Sequence, residues 1–370
     1  MANALFNAKT RLHNAVSQCG DLNLEPIVAD AWVISGLLQK SIRRGETEIA
    51  QRAALTFLKL KGSAIWRRLM VIAFEDVGVG NIDAVTTVVA TGTDVALRKR
   101  CGSDQRVAVH LAGVLAASPK DRSADHLAGA KDHPALAKFA RAMARVPLAA
   151  RLLNVGNKQL PLPERAVAAR FAAGLDGENF GNKVDRDALL SRYRDLGVPQ
   201  ELVDAAAIAA ARTREPITVM VPLIWLAADA GREVQVRECP IPPLVEVGDV
   251  PLYALDEHTR LGRQAIWWFA CENDAVRGCL ERFVPAGQRR RAANVAAFYV
   301  DAAPVGRRLV WDQSQRLEAF GLARDLLVAG VPAEGIGPLL EAMRDNLGHL
   351  NALRAQVLGG SRVRPGTAVR

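Results

Sequence analysis

Three charged clusters in this sequence have residue types and spacings that could do chemistry. The first is Glu75-Asp76, two adjacent carboxylates at the end of an apolar helical pattern. A helix C-terminus disfavours carboxylates by a few tenths to ~1 kcal/mol, so these two call for cations from another element. Arg67 and Arg68 sit seven to nine residues upstream, beyond the reach of a helical turn. Arg43 and Arg44, in the last turn of an earlier helical pattern, are the natural partners. The favoured reading is a packed ion-pair cluster of Arg43, Arg44, Arg67, Arg68, Glu75 and Asp76 that joins helices. The alternative is a carboxylate pair holding a divalent metal. On the favoured reading no metal and no cofactor is expected.

The second cluster is Asp256-Glu257-His258-Thr259, directly before a helical pattern that starts at Arg260. Asp256 and His258 are the candidates for acid–base catalysis, with Glu75 as a third member at the junction of the two halves. Against this, Asp-x-His has no further histidine near it, the nearest being His133 and His349. An Asp or Thr before a helix is more simply an N-cap. His110, on an apolar helix, reads as a core histidine.

The third cluster is basic. Arg277, Arg282, Arg289, Arg290, Arg291, Arg307 and Arg308 face only Glu281 and Asp301 over 32 residues, which supplies +5 of the net +9. Guanidinium groups in that density suit phosphates, and cations at a helix start oppose the dipole, which favours a functional reading over a merely solvated one.

Helices must position these clusters. Half of the residues are apolar, alanine is plentiful and aromatics amount to 5%, a balance that favours helices over strands. Apolar spacing predicts helices over about 28–44, 49–61 and 64–77, stopped by Gly45, Gly62 and Gly78. Ser118-Pro119 reads as an N-cap and first turn. Four prolines between Glu233 and Leu252 mark an extended connector with room for one short strand. Helices are predicted again over roughly 259–283, 288–300, 306–329 and 333–357. At 370 residues, more than one domain is expected.

Four short segments in order carry a resemblance. They are Gln39-Lys40-Ser41-Ile42-Arg43-Arg44-Gly45, Trp66-Arg67-Arg68-Leu69, Ala73-Phe74-Glu75-Asp76-Val77-Gly78 and Ala116-Ala117-Ser118-Pro119-Lys120-Asp121. Together, over about Ile27 to Pro134, the chain resembles the C-terminal helical region of the RarA/MgsA replication-associated AAA+ ATPases. The resemblance implies an all-α, multi-helical fold: a clamp-loader-collar-like domain that builds oligomers, followed by a second helical domain. Phe74 and Asp121 depart from the family's pattern. No GxxxxGK followed by Ser or Thr occurs anywhere, so the resemblance carries no ATP hydrolysis. About 26 residues precede the matched region here, too few for an ATPase domain.

The expected organisation is an N-terminal segment (1–26), the resembling domain (27–145), a helical middle region packed on it (146–232), the Pro-rich connector (233–252), a C-terminal helical domain (253–358) and a disordered basic tail (359–370). Five scattered cysteines with no CxxC pair argue against a disulfide framework or zinc site. No apolar run reaches the ~20 residues needed to span a bilayer. A cytoplasmic protein without a membrane partner is expected. The function expected first is a non-catalytic assembly or interaction protein in DNA replication, recombination or repair. Its partners would be DNA, a second copy of itself or a replication protein. The alternative is an enzyme using Asp256, His258 and Glu75 between the two halves.

Overall fold

A computed structural model describes residues 5–18, 20, 23–175, 183–229 and 234–359. The fold is all-α and multi-helical, with twenty α-helices and four short strands among the described residues. The alanine-rich, apolar-striped text condenses into helices that bury their stripes in two hydrophobic cores.

The first core gathers α1 (Phe6–Gln18), α2 (Ala31–Arg44), α3 (Thr47–Lys61), α4 (Ala64–Ile72), α5 (Ile82–Thr93), α6 (Val95–Arg100) and α7 (Asp104–Ala117). It continues through α8 (Ser123–Ala128), α9 (Ala137–Arg145), α10 (Leu148–Gly156), α11 (Leu162–Ala172), α12 (Lys183–Asp195), α13 (Gln200–Thr213) and α14 (Ile217–Asp229). The Asp30 carboxylate caps α2 by accepting from the backbone N–H of Trp32 and Val33, at 2.8 and 3.1 Å. Gly45, at φ +84°, ends α2 in the left-handed conformation open to glycine. Leu12 and Val16 bury the face of α1 in the same core as Leu37, Phe74 and Leu115. Residues before 27 therefore contribute to this body, as do those of α9 to α14.

Next come β1 (Gln235–Glu238), β2 (Glu246–Val247) and β3 (Val250–Pro251). The second core belongs to α15 (Arg260–Glu272), α16 (Asp274–Phe283), α17 (Arg289–Ala297), α18 (Ser314–Val328), α19 (Ala333–Asp345) and α20 (Leu347–Leu358), around Ile266, Phe269, Leu326 and Met343. β4 (Arg307–Val310) precedes α18 and runs antiparallel to β1, with Glu238 opposite Arg307.

Four of the predicted helices differ. Ser118 closes α7 and does not cap a new helix: Lys120 lies beside Arg308 as a parallel bridge, with Lys120 N donating to Arg307 O at 2.8 Å and Leu309 N to Lys120 O at 2.9 Å. Backbone pairing holds 118–121 extended, so helix resumes only at Ser123. For the same reason the start of the predicted 306–329 helix is β4. The helices predicted over 259–283 and 333–357 each break once, at Asn273 and Asn346. The two asparagine side chains meet at 2.9 Å, and Asn273 accepts from Val276 N as the cap of α16. Residues 176–182 and the expected basic tail from 360 onward lie outside the described residues.

Buried arginines hold the two bodies together. Arg354, wholly buried, donates from Nε to Leu255 O at 2.9 Å and pairs with Asp301. Arg43 Nη1 donates to Ala302 O at 2.8 Å, and Arg324 Nη1 to His126 O at 2.7 Å. Among the described residues, no single helix is long and apolar enough to cross a membrane.

Candidate functional site

A cleft of about 780 Å³ opens between the two bodies. One wall carries Gln39, Lys40 and Arg43 of α2, Arg68 of α4, Glu75, and Arg122 and Asp125 at the start of α8. The facing wall carries Glu257 and His258, Arg263 of α15, Arg291 of α17, Phe298 and Tyr299 just after it, and Asp325 of α18.

Glu75 and Asp76 reach the cleft because α4 does not end at Ile72. It widens into a π-turn over Ala73–Val77 before Gly78, at φ +50°, breaks it. Such widened turns cluster at functional positions because they re-aim side chains that a regular helix would separate. Asp76 is the buried floor. It accepts from Arg43 Nε at 2.6 Å and Gln39 Nε2 at 2.9 Å, and Arg122 Nε lies 3.3 Å away. Glu75 sits above it, 3.3 Å from Arg43 Nη2 and 3.7 Å from Arg122 Nη2. Burial, with Asp76 and Asp125 adding repulsion, pushes the Glu75 carboxyl up to about 7 against the pull of Arg43 and Arg122. For Arg122 the balance runs the other way: burial opposes its charge, but Asp125, Asp76 and Glu75 outweigh it and hold the guanidinium protonated. The Arg43 and Arg122 guanidinium groups lie 5.5 and 5.8 Å from the Phe298 ring centre, within cation–π range.

The residues of the predicted ion-pair cluster separate into three groups. Arg43, Glu75 and Asp76 meet as expected, and Arg68 joins through its bond to Gln39 Oε1 at 2.7 Å. Arg44 turns away, to Glu46 at 2.8 Å, to Pro242 O at 2.6 Å and onto the Tyr253 ring. Arg67 leaves entirely, for Thr213 O and Glu215. A further cation, not foreseen from sequence, is Arg122, directly after the Ala116–Asp121 segment.

Asp256 and His258 also part. Asp256 is fully buried and pairs with Lys40 Nζ at 2.9 Å, while its Oδ1 accepts from His258 N at 3.0 Å. Burial raises Asp256, but the adjacent Lys40 charge outweighs it and keeps the carboxyl below its ordinary value. Asp256 thus holds the loop and does not face the cleft. Thr259 Oγ1 caps α15 by accepting from Gly262 N at 3.0 Å. His258 projects to the cleft mouth, 68% exposed, with its ring edge-on to Phe298 and Nε2 3.9 Å from Glu257. Glu257 is the unforeseen carboxylate. Burial, then Asp256 and Asp325, push it up to about 7. Tyr299 donates to Asp325 Oδ2 at 2.6 Å and is itself raised by burial and that carboxylate.

The seven arginines of the basic stretch do not form one surface. Arg277 is tied to Asp274 and Cys271 O, Arg282 lies over Phe283, and Arg290 lies over Trp267. Arg289 bonds Val284 O. Arg307 and Arg308 belong to β4, held by Glu238 and Glu318. Arg291 alone of the seven lines the cleft. Among the described residues, no group of three or more His, Cys, Asp or Glu side chains is placed to hold a metal ion.

The segments quoted for the family resemblance converge here. Gln39 and Arg43 meet Arg68, Glu75 and Asp76, and Asp121 N donates to Val77 O at 3.2 Å. Comparison of the chain with known protein families, with curated proteins and with solved structures finds no significant match in any of the three.

Proposed function

We propose that the cleft between the two helical bodies is a ligand-binding and acid–base site for an anionic small molecule, the enzymatic alternative of the sequence reading. One observation carries it: Glu75 and Glu257 enter one cleft from opposite bodies, each with a carboxyl near 7. A carboxyl so poised donates a proton just below neutrality and accepts one just above it. Arg68, Arg263 and Arg291 line the same space and give an anion its counter-charges. Glu257 replaces Asp256 in the catalytic role, and His258 stands beside it at the mouth.

Isothermal titration with inorganic phosphate tests this in two buffers of different ionisation enthalpy at pH 7. Binding should take up a proton as Glu75 or Glu257 becomes more basic beside the anion, and Glu75→Gln should reduce that uptake. Absence of any phosphate binding at millimolar concentration would sink the reading.

The assembly role in DNA replication or repair implied by the RarA/MgsA resemblance is a second reading. The favouring observation is the pair of arginines on α16 and α17, Arg282 and Arg290, whose guanidinium groups lie 5.0 and 5.9 Å from the ring centres of Phe283 and Trp267. Arginine beside aromatic rings suits single-stranded nucleic acid, whose bases stack while its phosphates pair. On this reading, affinity for a single-stranded oligonucleotide falls steeply with salt, and an Arg282→Ala/Arg290→Ala variant loses it. A flat salt response would remove it.

A further inference from the structure

Trp32 is the feature that the cleft chemistry leaves unexplained. It lies in the first turn of α2, it is 77% exposed, and it borders the cleft. Large aromatic side chains cost apolar hydration when left in water, and this one is held there: Asp30 accepts from the Trp32 backbone N–H at 2.8 Å and fixes the turn. A second groove of about 670 Å³ starts at Trp32 and is lined by Asp30, His258, Thr259, Arg260 and Arg263. It shares Trp32, His258 and Arg263 with the cleft, so the two spaces adjoin.

Apart from Trp32, the lining is polar, with only Val33 and Leu261 apolar. The apolar part of the lining is one indole with two aliphatic neighbours, a wall that suits a flat ring more than a long chain. A group with a flat π-face and polar edges fits better: it stacks on the indole and meets Arg260 and Arg263 at its rim. Both spaces fall within the size range of small-molecule sites. Neither Arg260 nor Arg291 makes an ion pair or hydrogen bond among the described residues, which leaves both free to meet an anion.

We infer that the Trp32 groove is a base-binding subsite, and that the ligand of the cleft is a nucleoside phosphate whose base stacks on Trp32 while its phosphate reaches Arg263, Arg68 and Arg291. This rests on the reading of the cleft as an anion site and names the ligand class for it. Arg263, common to both spaces, is the hinge between base and phosphate.

The test uses the full chain and three probes, AMP, ribose 5-phosphate and inorganic phosphate, by isothermal titration with wild type, Trp32→Ala and Trp32→Phe. AMP should bind wild type about tenfold or more tighter than ribose 5-phosphate, the range expected for one stacked base. Trp32→Ala should erase that preference without changing ribose 5-phosphate affinity, and Trp32→Phe should keep most of it. Because Trp32 is exposed, both variants should melt at the wild-type temperature. Equal binding of AMP and ribose 5-phosphate to wild type, or AMP affinity unchanged in Trp32→Ala, would overturn the subsite and leave the anion site standing. If none of the three probes binds, both readings fall.

Discussion

Arg43 Nε lies 2.6 Å from Asp76 Oδ1, with almost no solvent on either side chain. That bond joins α2 to the π-turn after α4, and Arg43 Nη1 then reaches across to Ala302 O in the other body. One guanidinium therefore ties both walls of the cleft and sets the height at which Glu75 stands.

Removing the Asp76 carboxylate leaves Arg43 and Arg122 facing each other with Glu75 as their one remaining shared carboxyl. Breaking a buried pair by deleting one partner costs roughly 3–5 kcal/mol. Asp76→Ala is predicted to lose stability on that scale in urea denaturation. A loss of less than about 1 kcal/mol would mean that the guanidinium groups find other partners, and that Asp76 does not hold the floor.

The raised Glu75 carboxyl makes a signed prediction for pH. Its ordinary value is 4.5 and its value in the fold about 7, so the folded state holds the proton more tightly. The stability this confers is complete below about 4.5 and is lost as pH rises through 7. His126 is held down to about 3 by burial and the neighbouring Arg122, and its contribution runs the opposite way, gained as pH rises from 3 towards 6.5. The comparison is therefore with a variant that keeps His126. Between pH 5 and 8, wild type should lose stability relative to Glu75→Gln, measured by denaturation midpoints in parallel. Superimposable profiles would place Glu75 in an ordinary carboxylate environment.

Gly262, in the first turn of α15, has no room for a side chain. A Cβ there would lie 2.1 Å from Asp256 O and 2.5 Å from Asp256 N. Gly262→Ala should push the 255–258 loop away from α15, strain the Lys40–Asp256 pair and cost about 1–3 kcal/mol. The same shift displaces Glu257 and His258, so phosphate binding should weaken along with stability. A variant as stable as wild type, with unchanged binding, would show that the loop yields without effect on the site.

Position decides which arginine matters. Arg291 borders the cleft beside Glu257, whereas Arg290, its neighbour in sequence, lies over Trp267. Arg291→Ala should weaken phosphate binding several-fold, and Arg290→Ala should leave it unchanged. The reverse order would move the anion site to the α16–α17 face.

Most helices were legible because their apolar spacing and glycine stops are local signals, and α2 shows both in Asp30 and Gly45. The Glu75–Arg43 contact was legible for a different reason: carboxylates at a helix end need a cation, and Arg43 was the nearest one in a last turn. What escaped depends on long-range pairing. Lys120 and Arg308 are 188 residues apart in the chain, and their bridge replaces predicted helix on both sides. Arg122 follows that bridge by two residues and there comes within 3.3 Å of Asp76. Glu257, between Asp256 and His258, carries no local signal that separates it from them. Only the burial of Asp256 against Lys40, from a helix more than 200 residues earlier, leaves Glu257 as the carboxylate facing the cleft.

Two carboxyls, Glu75 and Glu257, share one cleft, both raised to about 7. Carboxyl-carbon NMR titration of the intact protein, with Glu75→Gln and Glu257→Gln assigning the resonances, measures this directly. Both side chains should titrate near pH 7, and added inorganic phosphate should move both upward. Two ordinary titrations near 4.5, indifferent to phosphate, would contradict this.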